Sequence, residues 1–518
     1  MADRARVPVQ PIAPPKTRME KLLDTVERVG NKVPHPAVIF VILIAIVVLL
    51  SHLFYKMGIS VTYQSVNPDT DKIEKITTTA KSLLTGDGIR FMYENVVQNF
   101  MNFNAVGVII VAMLGVGVAD AAGLIGALIR MLVQVAPRQF ITYILVFIGI
   151  ISSIAADAGY LVLIPLGAAA FLSLGRHPLA GLAASFAGVA AVFTANILIK
   201  PLDGILTGIT NDAIHLLDPS KSIDLTANFW FSVASVFLLT IVVSVITDKM
   251  VEPRLGQYTG EKPAVAGATL SAEESRGLKY TLWALVGAIA FFALLTVPRG
   301  AVLRNPETGA LIGNSPFMNG LIVFITLVFL VAGVAYGIGA GTIKGIKDVT
   351  AAMEKAVAGL GALIFLLFII SQFLALFSYT NIATLAAVKV GDALEHAGLG
   401  PLPLLVGFVV VVLVLDLIMT GAIPKWAIFA PIFIPLLMRL NVEPAAVLAA
   451  YRVGDGPMNA VSPLNAYFAL IVTFAAKYQK NAGVGTLVAL MLPYVVVVTV
   501  VWIVMLVIWQ VLGIPWGF

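Results

Sequence analysis

YRVGDGPMNAVSPLNAY, residues Tyr451–Tyr467, interrupts an otherwise apolar run that extends from about 444 to 474. The stretch carries charged residues, asparagines, glycines and prolines where a lipid-facing helix carries apolar side chains. A charge at the centre of a bilayer costs about 2.5–3.5 kcal/mol, so such residues normally face a cavity or a partner. Glycine and proline break the helix, which membranes tolerate only where the freed backbone lines protein or water. The stretch therefore predicts a discontinuous helix of the kind that binds substrate and coupling ion in secondary transporters.

Composition places the rest of the chain in a membrane as well. Of its 518 residues, 59% are hydrophobic and 12% are charged, which is about half the charged share of a globular domain. The absence of cysteine excludes disulfides, thiolate catalysis and Cys-ligated metal sites. The net charge of +5 comes from basic residues in loops near the membrane ends. This distribution is typical of the residues that set membrane topology, and it does not indicate a nucleic-acid partner. These features predict an all-α polytopic membrane protein.

The N-terminal tail, residues 1–36, carries seven basic residues and precedes a first apolar run at 37–55. The basic residues are Arg4, Arg6, Lys16, Arg18, Lys21, Arg28 and Lys32. The positive-inside rule places such a tail in the cytoplasm. The apolar run has no small-residue cleavage site, so we expect it to remain as the first transmembrane span.

Two further apolar segments are much longer than the roughly 20 residues that cross a membrane once. The first, 139–175, is interrupted by SSIAADAG (Ser152–Gly159), and the second, 402–440, by DLIMTGAIPKW (Asp416–Trp426). Small polar residues at mid-depth predict re-entrant helical hairpins whose tips reach the middle of the membrane. For the first segment, the alternative is one long tilted helix with a buried Ser/Asp pair.

Each of these interrupted segments precedes a broken helix, and this order predicts an internal repeat. The first broken helix, 177–215, contains FTANILIKPLDG (Phe193–Gly204), and the second, 444–474, contains the opening stretch. The repeats span 90–247 and 337–512, separated by a charged linker at 248–279 and connecting spans at 280–336. We expect an inverted repeat with substrate and ion at its interface.

Charges within the broken helices are the first functional candidates, since intramembrane ionisable residues usually mark a pathway. Asp455 and Arg452 either form a structural ion pair or act on substrate and protons. Asp203, close to Lys200 in the first broken helix, has the same two interpretations. Asn196 and Asn459 offer carbonyl oxygens to a Na⁺ ion, or they hydrogen-bond the broken backbone.

The interrupted segments add polar candidates of their own. These are Ser152, Ser153 and Asp157 in the first segment, and Asp416, Lys425 and Trp426 in the second. The aspartates either line the pathway or cap half-helices. Lys425 either attracts a carboxylate or extends to the membrane surface. Trp426 either stacks on an aromatic substrate or belongs to an interfacial belt.

Signatures of enzymes are absent from the sequence. It contains no GxSxG, HExxH or Walker loop, and its five histidines are scattered. Without a nucleotide-binding loop, transport would be driven by an ion gradient. We therefore predict no enzymatic activity and no cofactor.

Several long motifs, in the same order, resemble those of the AbgT family of p-aminobenzoyl-glutamate transporters over nearly the whole chain. They are LLDTVERVGNKVPHP (Leu22–Pro36), SSIAADAGYLVLIPL (Ser152–Leu166), TANILIKPLDGILTGIT (Thr194–Thr210), GAIPKWAIFAPIFIPL (Gly421–Leu436), YRVGDGPMNAVSPL (Tyr451–Leu464) and LGIPWG (Leu512–Gly517). The resemblance implies a homodimer in the bacterial inner membrane, with about nine transmembrane helices and two re-entrant hairpins per protomer. Each protomer would hold a basin open to the cytoplasm.

The resemblance also implies a substrate and a set of substrate-path residues. The substrate would be p-aminobenzoyl-glutamate, or sulfonamide antimetabolites exported by the proton motive force. The matching positions of this chain are Asp203, Trp426, Pro444, Arg452, Asp455 and Pro463. Gly456, Pro457 and Met458 stand where relatives often have Ser or Thr. This departure removes hydroxyl ligands and favours H⁺ over Na⁺ as the coupling ion, with Asp203 and Asp455 as its candidate carriers.

Two alternatives remain open at the level of the sequence. The first is Na⁺-coupled uptake of dicarboxylates, because broken helices and hairpin tips are shared by that group of folds. The second is a channel or a membrane scaffold that encloses a water-filled vestibule. A Na⁺ requirement would favour the first alternative, and flux that does not saturate would favour a channel.

Overall fold

The computed structural model describes residues 34, 36–66, 73–134, 136–154, 159–260, 270–312, 315–396, 400–417, 421–480 and 482–518. These residues are mostly helical. Nearly all of the predicted cytoplasmic tail, and Asp157 in the first interrupted segment, lie outside the described residues.

The helices of the first half of the chain begin with the predicted first span and end in the charged linker. In chain order they are α1 (Pro36–Lys56), α2 (Gly86–Glu94), α3 (Val96–Met101), α4 (Asn104–Ala122), α5 (Leu124–Gln134), α6 (Ile141–Ile151), α7 (Ile164–Ser173), α8 (Pro178–Phe186), α9 (Pro201–His215), α10 (Phe229–Ile246) and α11 (Glu252–Leu255).

The helices of the second half begin in the same linker and extend to the last apolar run. They are α12 (Ala272–Thr296), α13 (Pro316–Asn319), α14 (Leu321–Ala340), α15 (Ile346–Ala358), α16 (Gly361–Tyr379), α17 (Ile382–His396), α18 (Pro401–Asp416), α19 (Ala422–Arg439), α20 (Pro444–Asp455), α21 (Phe468–Ala476) and α22 (Val484–Val511).

Eight helices in the described part of the chain are long and apolar enough to cross a membrane, or nine if one bent pair counts as a span. They are α1, α4, α10 together with its continuation to Leu255, α12, α14, α16, α19 and α22. The prediction of an all-α polytopic membrane protein is confirmed.

The region at 56–89, where polar residues and balanced charge predict a small external loop, contains a β-hairpin. Strand β1 (Ser60–Val66) pairs antiparallel with β2 (Ile73–Thr79), and Ser60 lies opposite Thr79. Both strands are rich in threonine and β-branched residues, which favour extended backbone. Polarity alone predicted a loop because it does not distinguish a solvated hairpin from irregular chain.

The charged linker at 248–279 is partly helical. The helix that begins as α10 continues through a π-helical turn, Thr247–Val251, into α11. At the other end, Ser271 and Glu274 form a capping box in which each side chain accepts the other's backbone N–H. This box starts α12 inside the linker.

The structure describes the residues that flank the centre of each interrupted segment. In the first, α6 ends in a 3₁₀ turn, Ser152–Ile154, and a π-helical turn, Gly159–Leu163, leads into α7. In the second, α18 ends at Asp416 and α19 follows Gly421, whose φ of +103° requires glycine. The re-entrant turns stay predictions, because residues 155–158 and 418–420 are outside the described ranges.

Both broken helices are broken where proline and glycine predict it. The first passes from α8 through a π-helical turn, Ala187–Ala191, and non-helical residues to α9, which has Pro201 at its first position. The second passes from α20 through a 3₁₀ turn, Pro457–Ala460, to α21. Proline is suited to the first turn of a helix because it has no N–H to leave unpaired.

The interrupted elements of the two repeats pack against one another. Helix α9 of the first repeat packs on α19 of the second and on α4, while α18 packs on α20. The π-helical turn of the first break contacts the 3₁₀ turn of the second. This arrangement places the charges of both broken helices in one buried region.

Gly456 sets the distance between the two breaks. A Cβ at this position would lie 2.7 Å from the Ala191 carbonyl oxygen and 3.0 Å from the Trp502 ring. We expect Gly456→Ala to lower the free energy of unfolding by about 1–3 kcal/mol, the usual cost of overpacking. Thermal unfolding of the purified protein in one detergent measures the effect.

Gly407→Ala is the matched control, because a Cβ there meets no atom within 4 Å. Gly407 lies inside α18, where alanine is favoured over glycine by about 0.5–1 kcal/mol. A melting temperature for Gly456→Ala equal to or above that of Gly407→Ala would contradict the close contact between the breaks.

Candidate functional site

Arg452 and Asp203 join the two broken helices. Arg452 Nη1 donates to Asp203 Oδ1 at 2.7 Å and to the Thr194 carbonyl at 3.1 Å, while Arg452 Nε donates to Asn228 Oδ1 at 3.1 Å. Asp203 Oδ2 accepts the backbone N–H of Lys200 at 2.8 Å, which fixes the start of α9. A polar cavity of about 20 Å³, enough for about one water molecule, borders Asp203 and Arg452.

This arrangement contradicts the ion pair between Arg452 and Asp455 that was one of the two interpretations of these residues. Residues three apart on a helix share a face, so the sequence suggested an ion pair between Arg452 and Asp455. The structure gives each of them another partner: Arg452 binds Asp203, and Asp455 Oδ1 lies 2.6 Å from Lys425 Nζ.

Lys425 is the centre of a buried triad. Its ammonium contacts Asp416 Oδ1 at the end of α18 as well as Asp455 Oδ1 at the end of α20. All three side chains are at most 1% exposed. The hydroxyl of Tyr451 lies 3.1 Å from Asp455 Oδ1 and 2.5 Å from the Ala422 carbonyl oxygen.

The geometry of the triad excludes one of the two interpretations of Lys425 and one of the two interpretations of Asp416. Lys425 does not extend to the membrane surface, because its ammonium is buried between two carboxylates. Asp416 does not cap α19, because it is the last residue of α18 and the N-cap position of α19 is Gly421.

Lys200 is a buried cation whose hydrogen bonds go to neutral oxygen atoms. It is 2% exposed, and its Nζ donates to Ser153 Oγ at 3.0 Å and to the Phe193 carbonyl at 2.5 Å. The same ammonium lies 4.7 Å from the centre of the Phe193 ring. Among the described residues it forms no ion pair with a carboxylate.

A cavity of about 440 Å³ opens beside Lys200. Its walls come from α4, the centre of the first interrupted segment, the first break, the starts of α9 and α16, and the N-terminal end of α19. Most of the lining side chains are apolar, and Lys200 and Asp120 are its charged members. Its size lies in the range of 300–1,000 Å³ typical of small-molecule sites.

Trp426 is fully buried, which excludes a place in an interfacial belt. Its Nε1 donates to Thr210 Oγ1 at 3.0 Å and to the Leu206 carbonyl at 3.2 Å, and its ring lies 4.6 Å from that of Tyr451. Trp426 thus fixes α19 against α9 and α20. It is not part of the wall of the 440 Å³ cavity, and its contact with substrate stays a prediction.

The two asparagines considered as Na⁺ ligands bond to the broken backbone. Asn196 Nδ2 donates to the Ile151 carbonyl and to Ser153 Oγ, and its Oδ1 accepts the N–H of Leu198. Asn459 Nδ2 donates to the Asp455 carbonyl at 2.7 Å. These bonds agree with the structural interpretation, and the described residues contain no group of three or more His, Cys, Asp or Glu that could hold a metal ion.

The remaining candidates lie around the same region. Ser152 Oγ donates to the Gly149 carbonyl at 2.7 Å, and Ser153 links the first interrupted segment to Asn196 and Lys200. Pro444 is the first residue of α20, and Pro463 lies in the non-helical chain before α21.

The sequence pattern does not indicate the contacts of three residues around the site. Asn228 sits at the start of a plain apolar span, where nothing in the pattern marks it as a partner of Arg452. Tyr451 lies within the opening stretch, but its bond to the Ala422 carbonyl connects α20 to the opposite end of the preceding helix, α19, 29 residues away. Lys200 was noted only as a neighbour of Asp203, although it faces the cavity.

Apolar spans surround two discontinuous helices, buried charges join these helices, and a small-molecule cavity lies beside the first of them. These features define a polytopic membrane transporter. A model of the AbgT putative transporter family matches residues 21–518. The chain is also 34% identical, over 97% of both chains, to the p-aminobenzoyl-glutamate transport protein of Escherichia coli (strain K12). The protein therefore belongs to the AbgT transporter family.

Two solved structures share the fold. The YdaH transporter of Alcanivorax borkumensis superposes with a TM-score of 0.87 at 38% identity, covering 94% of this chain and 100% of that one. MtrF of Neisseria gonorrhoeae, from a class of antimetabolite efflux pumps, superposes with a TM-score of 0.89 at 38% identity, covering 94% and 97%.

Proposed function

We propose that this protein transports p-aminobenzoyl-glutamate or closely related aromatic amides, driven by a proton gradient. The observation that carries the proposal is the apolar 440 Å³ cavity at the junction of both repeats, with the buried ammonium of Lys200 in its wall. The relative from Escherichia coli, which carries p-aminobenzoyl-glutamate in its name, supports the choice of substrate.

The chemistry of the cavity fits the two ends of this substrate. A glutamate carboxylate would bind the ammonium of Lys200, which has hydrogen bonds to neutral oxygens and no carboxylate partner in the described chain. The aromatic ring would pack against the apolar side chains of α4 and the start of α16. Asp120, which lines the cavity on the α4 side, would accept a hydrogen bond from the aromatic amine.

Export of sulfonamide antimetabolites is the second candidate. Sulfonamides have the aromatic amine and the ring but lack the glutamate. We therefore expect their binding to depend more on the apolar wall of the cavity than on the Lys200 ammonium. The mostly apolar lining and the structural similarity to MtrF favour this candidate.

Na⁺-coupled transport of a small dicarboxylate fits the cavity less well. Succinate carries two carboxylates, as the glutamate end of the aromatic amide does, but it has no aromatic ring and would leave most of the apolar surface without a partner. The bonds already made by Asn196 and Asn459 likewise favour H⁺ over Na⁺ as the coupling ion.

Purified protein in liposomes tests the proposal. Flux of radiolabelled p-aminobenzoyl-glutamate, or of a sulfonamide, should saturate and should respond to an imposed pH gradient without Na⁺. Flux that requires Na⁺ and is inhibited by succinate would establish the dicarboxylate alternative. Non-saturating flux would indicate a channel, and no flux of any of these compounds would indicate a scaffold.

We also propose a homodimer in the bacterial inner membrane, with the N-terminus in the cytoplasm and no catalytic activity. Helix α12 supports a contact with lipid or a second protomer, because only three of its residues are buried and most of its exposed residues are apolar. The mass of the detergent-solubilised particle, corrected for bound detergent, tests the dimer.

A further inference from the structure

The triad of Asp416, Lys425 and Asp455 holds one more carboxylate than ammonium. Lys425 Nζ contacts Oδ1 of both aspartates. Of the other buried cations, Arg452 is bound to Asp203. Lys200 is hydrogen-bonded to a hydroxyl and a carbonyl and forms no ion pair with the triad. The triad therefore has one local negative charge in excess when all three groups are ionised.

Two oxygen atoms show where this excess is located. Asp416 Oδ2 and Asp455 Oδ2 are buried, and neither has a hydrogen-bond partner among the residues that the structure describes. Tyr451 compensates Asp455 only in part, since its one hydroxyl proton also serves the closer Ala422 carbonyl. A buried carboxylate without compensation is costly, and two carboxylates that share one site cannot easily both be ionised.

We infer that Asp416 and Asp455 share one proton and that this triad is the binding site of the coupling proton, an inference that rests on the proposed function. On binding, one proton from water joins Oδ2 of either aspartate and makes the triad neutral, and no other bond forms or breaks. On release, the proton returns to water and leaves the excess charge shared over both carboxylates.

Asp203 does not meet the same conditions. Its Oδ1 accepts from Arg452 and its Oδ2 accepts the N–H of Lys200, so both oxygens have donors. Its charge is matched one to one by the guanidinium. Of the two aspartates that the sequence singled out for coupling, Asp455 therefore carries the proton together with Asp416.

The triad is also connected to the substrate cavity. Ala422 and Pro424 line that cavity, Lys425 follows Pro424 directly, and Tyr451 of the adjoining helix bonds to the Ala422 carbonyl. A carboxylate bound at Lys200 would add negative charge to this cluster and so favour proton uptake by the triad. By linkage, a bound proton favours binding of the anion to the same degree.

Infrared difference spectroscopy of the purified full chain during a pH titration tests the proton site without any substrate. The wild type should show the C=O band of a protonated carboxyl group that Asp416→Asn lacks, because the remaining Lys425–Asp455 pair is neutral without a proton. Asp416→Glu should restore the band. Asp87→Asn, at an exposed aspartate, should leave it unchanged. The same band in Asp416→Asn as in the wild type would overturn the inference.

Transport in liposomes tests the coupling. Asp416→Asn should still exchange internal for external p-aminobenzoyl-glutamate at equal pH, while its pH-driven flux falls to the rate measured without a gradient. Full pH-driven flux in Asp416→Asn would overturn the inference. If the wild type showed the titrating band but transported no substrate, the proposed function would be contradicted, while the assignment of a shared proton to the triad would be supported.

Discussion

Substitution of Lys200 by methionine is expected to weaken binding of p-aminobenzoyl-glutamate by at least about 30-fold. Loss of one partner of a buried, hydrogen-bonded charge pair costs about 2–5 kcal/mol, and 2 kcal/mol corresponds to about 30-fold in Kd. Methionine has nearly the same length and removes a buried charge that has no counter-ion in the described chain. The fold should therefore tolerate the change while the anion loses its partner.

Equilibrium binding of the radiolabelled compound to purified protein measures this effect. Lys347→Met is the matched control, because Lys347 is exposed on α15 and should leave the Kd unchanged. A neutral sulfonamide should bind the wild type and Lys200→Met with similar affinity, since it lacks the glutamate carboxylates. If the affinity for p-aminobenzoyl-glutamate stayed within a few-fold of the wild type, Lys200 would not be its anion site.

The breaks of the transmembrane helices were predictable because their causes are local. Pro201 and Pro457 begin new helical turns, and Gly456 permits a contact that any side chain would obstruct. Charge in an apolar run is visible in the sequence for the same reason. The β-hairpin at 60–79 was not predicted, because its polar strands resemble a solvated loop in composition.

The partners of the buried charges were not predictable from spacing. Arg452 and Asp455 are neighbours on one helix, so a local rule pairs them. In the structure, Arg452 instead reaches Asp203 across the junction of the repeats, and Asp455 reaches Lys425 on another helix. Such pairs depend on how the helices pack, and nothing in the sequence of either segment specifies that packing.

Arg452→Met is expected to lower the free energy of unfolding by about 3–5 kcal/mol, the usual cost of removing one partner of a buried ion pair. Asp203 would keep only the N–H of Lys200 as a donor, and Asn228 Oδ1 and the Thr194 carbonyl would lose the guanidinium. Thermal unfolding in a fixed detergent measures the loss, with monodispersity on size-exclusion chromatography as a check of folding.

A second substitution distinguishes the observed pair from the one that spacing suggests. Asp203→Asn in the Arg452→Met background removes the orphaned charge, while the asparagine oxygen still accepts the N–H of Lys200, so much of the lost stability should return. Asp455→Asn in the same background should restore none, because Asp455 is bound to Lys425 and Tyr451. Rescue by Asp455→Asn, with no rescue by Asp203→Asn, would show that Arg452 pairs with Asp455 in the membrane protein and would remove the link between the two broken helices.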